Sequence, residues 1–65
     1  MSNLSKLLAK GSTSVRQGDI AGARAAFEKA AQDHAGSSEP WINLSAVHGM
    51  AGNYAEALRC ARKAV

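Results

Sequence analysis

The sequence predicts an all-α fold: four helices arranged as two antiparallel helix-turn-helix units. Three observations support this fold class. Apolar residues recur at helical spacing in four segments, short glycine-containing breaks separate the paired segments, and the two halves of the chain match at one constant shift. The helices are expected at about residues 3–17, 20–34, 39–51 and 54–65.

The first two helices are defined by their apolar stripes and by the break between them. Gly18 ends the first helix, because glycine readily adopts the left-handed conformation of a helix C-terminus, and Asp19 can cap the second. The first stripe comprises Leu4, Leu7, Leu8, Gly11 and Val15, and the second comprises Ile20, Ala23, Phe27, Ala30 and Ala31. The small and polar residues 34–38 then form a loop.

The third helix has a clear start signal at Ser38, which can cap it, followed by Glu39 and Pro40 in the first turn. Its predicted buried side comprises Trp41, Leu44, Ser45, Val47 and His48. Gly52 ends this helix, as Gly18 ends the first. The fourth stripe comprises Tyr54, Ala57, Leu58, Ala61, Ala64 and Val65.

The two halves of the chain form an internal repeat. The shift that places Gly18 on Gly52 also matches Asp19 with Asn53, Ala23 with Ala57, Gly11 with Ser45 and Leu7 with Trp41. Two helices in roughly 34 residues is the period of tetratricopeptide repeats, and the chain resembles that family. The second unit carries the pattern best, in Trp41, Leu44, Ser45, Gly52, Tyr54, Ala57, Ala61 and Ala64. We interpret residues 1–65 as one module, with repeat one at about 4–37 and a truncated repeat two at about 38–65.

Residue size within the repeat predicts how the helices pack. Helices approach closely where one presents a small residue to the other, so the small residues are expected at contact points and the large ones in the spaces between. The expected contact points are Gly11, Ser45, Ala23 and Ala57, and the expected space-filling residues are Trp41, Leu44, Ile20, Tyr54 and Phe27.

The resemblance implies right-handed superhelical stacking and a concave surface, lined by the first helix of each pair, that holds a protein partner. By position, Asn43 belongs to that lining. So do four apolar residues that internal packing is expected not to need: Leu8, Val15, Ile42 and Met50. Leu58 and Val65 of the fourth helix would face water in the isolated chain. The predicted partner-binding residues are Leu8, Val15, Ile42, Asn43, Met50, Leu58 and Val65.

Residue types and spacing argue against catalysis. Cys60 is the single cysteine, so no internal disulfide is possible, and no Cys/His cluster has the spacing of a zinc site. His34 and His48 are interpreted as satisfied or surface histidines, and Cys60 as inert filling despite nearby arginines. We therefore expect no catalytic residue, no cofactor and no metal, and no enzymatic activity.

The charge pattern narrows the class of partner. The net charge is +3, and the basic residues are scattered apart from Arg59, Arg62 and Lys63, which we interpret as solvated helix surface and not a nucleic-acid footprint. No apolar run approaches the roughly 18 residues that a membrane span needs. We expect a protein partner, with no nucleic acid and no membrane, and a cytoplasmic location, with which a free thiol is compatible.

The leading functional hypothesis is a protein–protein interaction module or scaffold that forms a homo-oligomer or docks within a longer repeat array or assembly. It follows from length, because a 65-residue chain has a thin core and repeat proteins generally need at least three units. One alternative is an adaptor that binds a peptide or helix of another protein in its concave groove. The other is the N-terminal docking region of a larger enzyme, since Met1 looks native and the fourth helix looks cut at Val65.

Overall fold

Four helices follow one another along the chain, and each packs against the next. The computed structural model describes residues 3–64, and this part of the chain contains no strand, which confirms the all-α prediction. The helices are α1 (Asn3–Arg16), α2 (Ile20–Asp33), α3 (Glu39–Met50) and α4 (Tyr54–Ala64). The predicted helix bounds agree to within one residue, except that the predicted end of the fourth helix, Val65, lies outside the described residues. The superhelical stacking expected of longer arrays stays a prediction.

The turns within the two helix pairs have the same backbone structure. Gly18 and Gly52 have positive φ angles of 80° and 82°, which an L side chain rarely adopts. After each glycine the chain turns back onto the preceding helix: the N–H of Asp19 donates to Ser14 O, and the N–H of Asn53 donates to His48 O, both at 2.8 Å. These bonds satisfy carbonyl groups that a helix end leaves free, so each pair is closed by a Schellman motif.

The core is small and is built largely from short side chains. Its buried residues are Ala23, Ala26, Phe27, Ala30, Ala31, Leu44, Val47 and Cys60. Gly11 is buried against the Phe27 ring: a Cβ built at Gly11 would overlap the ring, with Cδ1 only 2.8 Å away. On the other pair, the hydroxyl of Ser45 donates to the carbonyl of Ala57 at 2.9 Å. The predicted close contacts at Gly11, Ser45 and Ala57 therefore exist.

The predicted burial of α4 is wrong in one respect: Tyr54 does not fill a space in the core but is 75% exposed. Leu58 is 55% exposed, which agrees with the expectation that it faces water. Among the α4 residues whose side chains are described, Cys60 joins the core, at 6% exposure. At about 100° per residue, Leu58 lies roughly 160° around the helix from Cys60, so the two cannot face the core together.

Candidate protein-binding surfaces

A groove runs between the two first helices, α1 and α3, on the side that the resemblance assigns to a partner. Its volume is about 190 Å³, and it is lined by Ser12, Val15, Phe27, Asn43, Ala46, Val47 and Met50. The internal repeat explains why these residues meet: Ser12 and Ala46 occupy equivalent positions, so α1 and α3 present the same edge to the same side. Val15, Asn43 and Met50 are thus brought together as predicted. We call this the concave groove.

The concave groove combines apolar surface with one amide. Met50 is 56% exposed at one wall, and the half-buried Asn43 side chain offers both hydrogen-bond donors and an acceptor. The volume is below the roughly 300–1,000 Å³ of sites that enclose a small molecule. The groove is therefore too small to enclose a small molecule.

Leu8 and Val15 are not spare surface, contrary to the sequence-based expectation that internal packing does not need them. Both are partly buried and pack against the core cluster. This cluster combines α2 residues of repeat one with Leu44 and Val47 of α3, which packs against α2. Val15 still contributes to the wall of the concave groove, whereas Leu8 does not line it.

Two further predicted residues, Ile42 and Leu58, lie on a different surface. Ile42 is 55% exposed and does not line the concave groove. Helical geometry puts it about 160° around α3 from Leu44, on the side away from repeat one. The remaining predicted residue, Val65, lies outside the described residues.

This second surface belongs to repeat two alone. By the register of the repeat, Ile42 corresponds to Leu8 and Ala61 to Phe27. Phe27 is buried in the core cluster, to which α3 contributes, and Leu8 packs against that cluster. In repeat two both positions are exposed, because no described helix follows α4. We define the outer face as Ile42, Tyr54, Leu58 and Ala61.

A larger groove on the other side of α4 has no counterpart among the sequence predictions. It has a volume of about 590 Å³ and is lined by Glu28, Ala31, Gln32, Ala35, Trp41, Leu44, His48, Glu56, Arg59, Cys60 and Lys63. The Lys63 ammonium lies 5.3 Å from the centroid of the Trp41 ring, within reach of a cation–π interaction. One sequence signal could have revealed it: Trp41 and His48 are seven residues apart and so share one stripe of α3.

One titratable group of this larger groove, the Cys60 thiol, has a shifted pKa. Burial raises the pKa of the Cys60 thiol above its ordinary value, and the nearby Glu56 carboxylate adds to the rise, while Arg59 opposes it. A thiol with a raised pKa is mostly protonated and therefore a poor nucleophile.

The two histidines are neither satisfied nor surface residues, contrary to expectation. Both side chains are half-buried, and His34 Nε2 and His48 Nδ1 are buried without a hydrogen-bond partner in the described structure. A buried polar atom without a partner costs free energy, so these two nitrogens are local weak points of the fold.

Within residues 3–64, no group of three His, Cys, Asp or Glu residues is placed to hold a metal ion. None of the four helices described is long and apolar enough to cross a membrane.

Comparison with known proteins agrees with the repeat seen in the sequence and in the helix pairs. The family profile of the tetratricopeptide repeat matches residues 14–65, which is most of the chain. No curated protein matches the chain, and no solved structure does. The four helices, their paired turns and this match agree with about two repeats, as predicted. The chain belongs to the tetratricopeptide repeat family.

Proposed function

We propose that this chain is a protein–protein interaction module that docks through its outer face. Tetratricopeptide repeats are generally modules of this kind. We infer that the chain acts by binding and not by catalysis, as is typical of the family. The partner is a protein, either a second copy, the rest of a longer array, or another member of an assembly.

A single observation carries the proposal: equivalent positions in the two repeats are covered in one and open in the other. Phe27 is 2% exposed, whereas its equivalent Ala61 is exposed, and Leu8 packs on the core, whereas Ile42 is 55% exposed. Each large apolar side chain removed from water contributes about 1.5–3 kcal/mol, so covering Ile42 and Leu58 would stabilise a complex substantially. The small core makes that contribution important to the module itself.

Site-specific photo-crosslinking in the cells that make the protein tests this docking surface. A photoreactive phenylalanine analogue is placed at position 58 on the outer face or, as a matched control, at its repeat-one equivalent, position 24. Leu58 and Arg24 are both exposed helix residues, so the fold should tolerate either replacement.

The expected result is a protein adduct from position 58 and little or none from position 24. Equal adducts from both positions would mean unspecific surface contact, and no adduct from position 58 would mean that the outer face is not a docking surface. Either result overturns the proposal. The mass of the adduct also identifies the occupant, because a second copy doubles the mass of the chain.

The second candidate function is peptide capture in the concave groove, favoured by the convergence of Val15, Asn43 and Met50 there. Introducing the photoreactive group at position 50 tests it, because this position lies on the groove and not on the outer face. An adduct from position 50 of a different mass from the position 58 adduct would support an adaptor that binds a peptide or helix of another protein. No adduct from position 50 would argue against it.

The cellular location of the module is also a proposal. We place it in the cytoplasm, because its only cysteine is a buried free thiol, which suits a reducing compartment. We expect neither nucleic acid nor membrane as its partner. If the chain continues into a larger protein, such as an enzyme, the module would serve as its docking region.

A further inference from the structure

The exposed apolar residues of α4 form one continuous stripe. Tyr54, Leu58 and Ala61 follow one another at i, i+4 and i+7, the spacing that aligns side chains along one side of a helix. Tyr54 is 75% exposed, Leu58 is 55% exposed, and Ala61 is also exposed. We call these three residues the α4 stripe. The stripe thus offers both large side chains and a small one, which helix pairs need to interlock.

A following repeat would account for Tyr54 and Ala61 but not for Leu58. The repeat-one equivalents of Tyr54 and Ala61 are Ile20, which packs against the core, and Phe27, which is buried. Repeat one shows what a following helix covers, because α3 packs on it, and the equivalent of Leu58 there is Arg24. The Arg24 side chain remains 48% exposed and pairs with Glu28 at 3.5 Å. A leucine at a position that array stacking leaves open indicates a different occupant.

Head-to-tail stacking of a second copy is also disfavoured. In such a stack, α1 of the second copy would take the place that α3 takes on repeat one. The α3 residues buried in that place are Pro40, Leu44 and Val47. Their equivalents on α1 are Lys6, Lys10 and Thr13, and all three are exposed. Burying two lysines against an apolar face without partners costs free energy. The first helix is thus a polar cap and not a docking helix.

The charges of α4 leave its stripe free to meet an identical stripe. Glu56, Arg59 and Lys63 line the larger groove on the other side of the helix, and Arg59 also pairs with Glu56 at 3.4 Å. Arg62 alone among the charged residues of α4 flanks the stripe, by helical geometry. In an antiparallel pair, the two Arg62 side chains lie at opposite ends of the contact, which limits their repulsion.

We propose that the chain forms a twofold symmetric homodimer in which the α4 stripe packs antiparallel against the α4 stripe of a second copy. Leu58 of each copy lies over Ala61 of the other, so a large side chain meets a small one twice. The contact uses the same surface on both copies and therefore closes as a dimer without extending into a fibre. This inference rests on the proposed function and names its partner.

Sedimentation equilibrium of the purified 65-residue chain tests the dimer. Two variants form a matched pair, since each replaces an exposed apolar residue by the arginine found at the equivalent position of repeat one: Leu58→Arg, after Arg24, and Met50→Arg, after Arg16. Wild type and Met50→Arg should be dimers. Leu58→Arg should raise the dimer Kd at least about tenfold and keep the helical circular dichroism of the wild type.

Disulfide trapping tests the geometry. Leu58→Cys and Ala61→Cys are made separately on a Cys60→Ala background, which follows Ala26 at the equivalent position, and are mixed with oxidised glutathione. We expect the mixed disulfide between positions 58 and 61. A disulfide between Lys10→Cys and Ala61→Cys in a parallel mixture would show head-to-tail stacking and overturn the twofold dimer, because their repeat equivalents Leu44 and Phe27 share one core cluster.

A folded wild-type monomer at tens of micromolar would also overturn the dimer. That outcome leaves the proposed function standing if position 58 gives an adduct of another mass in the crosslinking experiment. If position 58 gives none, both proposals fail. The two failures are therefore distinguishable.

Discussion

Repeat one and repeat two share a backbone but differ in what covers them. Both pairs turn through a glycine at nearly the same φ, 80° and 82°, and close with equivalent hydrogen bonds. Yet α2 contributes Ala23, Ala26, Phe27, Ala30 and Ala31 to the buried core, whereas Cys60 is the buried residue of α4 among those whose side chains are described. The repeat pattern therefore determines the hairpin, and the neighbouring helix determines which of its residues are buried.

The two pairs also place their large and small residues differently. In repeat one, Gly11 leaves room for the Phe27 ring. In repeat two the equivalent positions are Ser45 and Ala61, and the serine hydroxyl bonds to the carbonyl of Ala57. An aromatic ring thus holds the first pair together, and a hydrogen bond contributes in the second. Substitutions at these positions should show how much the aromatic ring and the hydrogen bond each contribute to stability.

The largest expected effect comes from Phe27→Ala, which removes the one aromatic side chain in the buried core of the described residues. Truncating a buried phenylalanine costs about 3–5 kcal/mol, comparable to the whole stability of so small a domain. We expect the variant to be largely unfolded at 25 °C, as measured by far-ultraviolet circular dichroism. The reverse change in repeat two, Ala61→Phe, should alter the free energy of unfolding by less than about 0.5 kcal/mol.

Ala61→Phe must be compared in the Leu58→Arg background, so that association through the outer face does not contribute to its stability. If Phe27→Ala melted like the wild type, the core would not depend on repeat one. If Ala61→Phe were strongly destabilising, position 61 would be packed within the chain, and the contrast between the repeats would be lost.

An intermediate effect is expected from the turn glycines. Gly18→Ala and Gly52→Ala each force an L side chain into the left-handed region, at a cost of about 1 kcal/mol. For a domain of this size, that lowers Tm by roughly 4–8 °C in a thermal melt. Because the two φ angles match, the two losses should agree within about 0.5 kcal/mol. A much smaller loss at Gly52 would mean that repeat two frays independently of repeat one.

The sequence predicted the parts of the fold that local chemistry decides. The glycine signals located the turns within both helix pairs, and the repeat register found the close approach of Ser45 to Ala57. The sequence could not decide which side of α4 faces the core, because either the side with Tyr54 or the side with Cys60 could lie there. Tertiary packing selected Cys60.

The candidate site was predicted less completely. Val15, Asn43 and Met50 were assigned to one surface by their position in the repeat, and they meet there. Leu8 was wrongly thought spare, because the extent to which α3 covers repeat one depends on three-dimensional packing. The larger groove was missed for a similar reason: it lies among three helices, and periodicity describes each helix separately.

The smallest expected effect comes from Ser45→Ala, which removes the hydrogen bond that links α3 to α4. A neutral hydrogen bond contributes about 0.5–1.5 kcal/mol, and the higher helix propensity of alanine returns part of it. The Ala57 carbonyl also keeps its bond within α4, so no buried acceptor is left without a partner. We expect the free energy of unfolding, measured in urea, to fall by less than about 1 kcal/mol, well short of the loss from Phe27→Ala.

Gly11→Ala is the matched change in repeat one and should cost more, because its Cβ meets the Phe27 ring. Equal losses would show that the two helix pairs are held together in the same way after all.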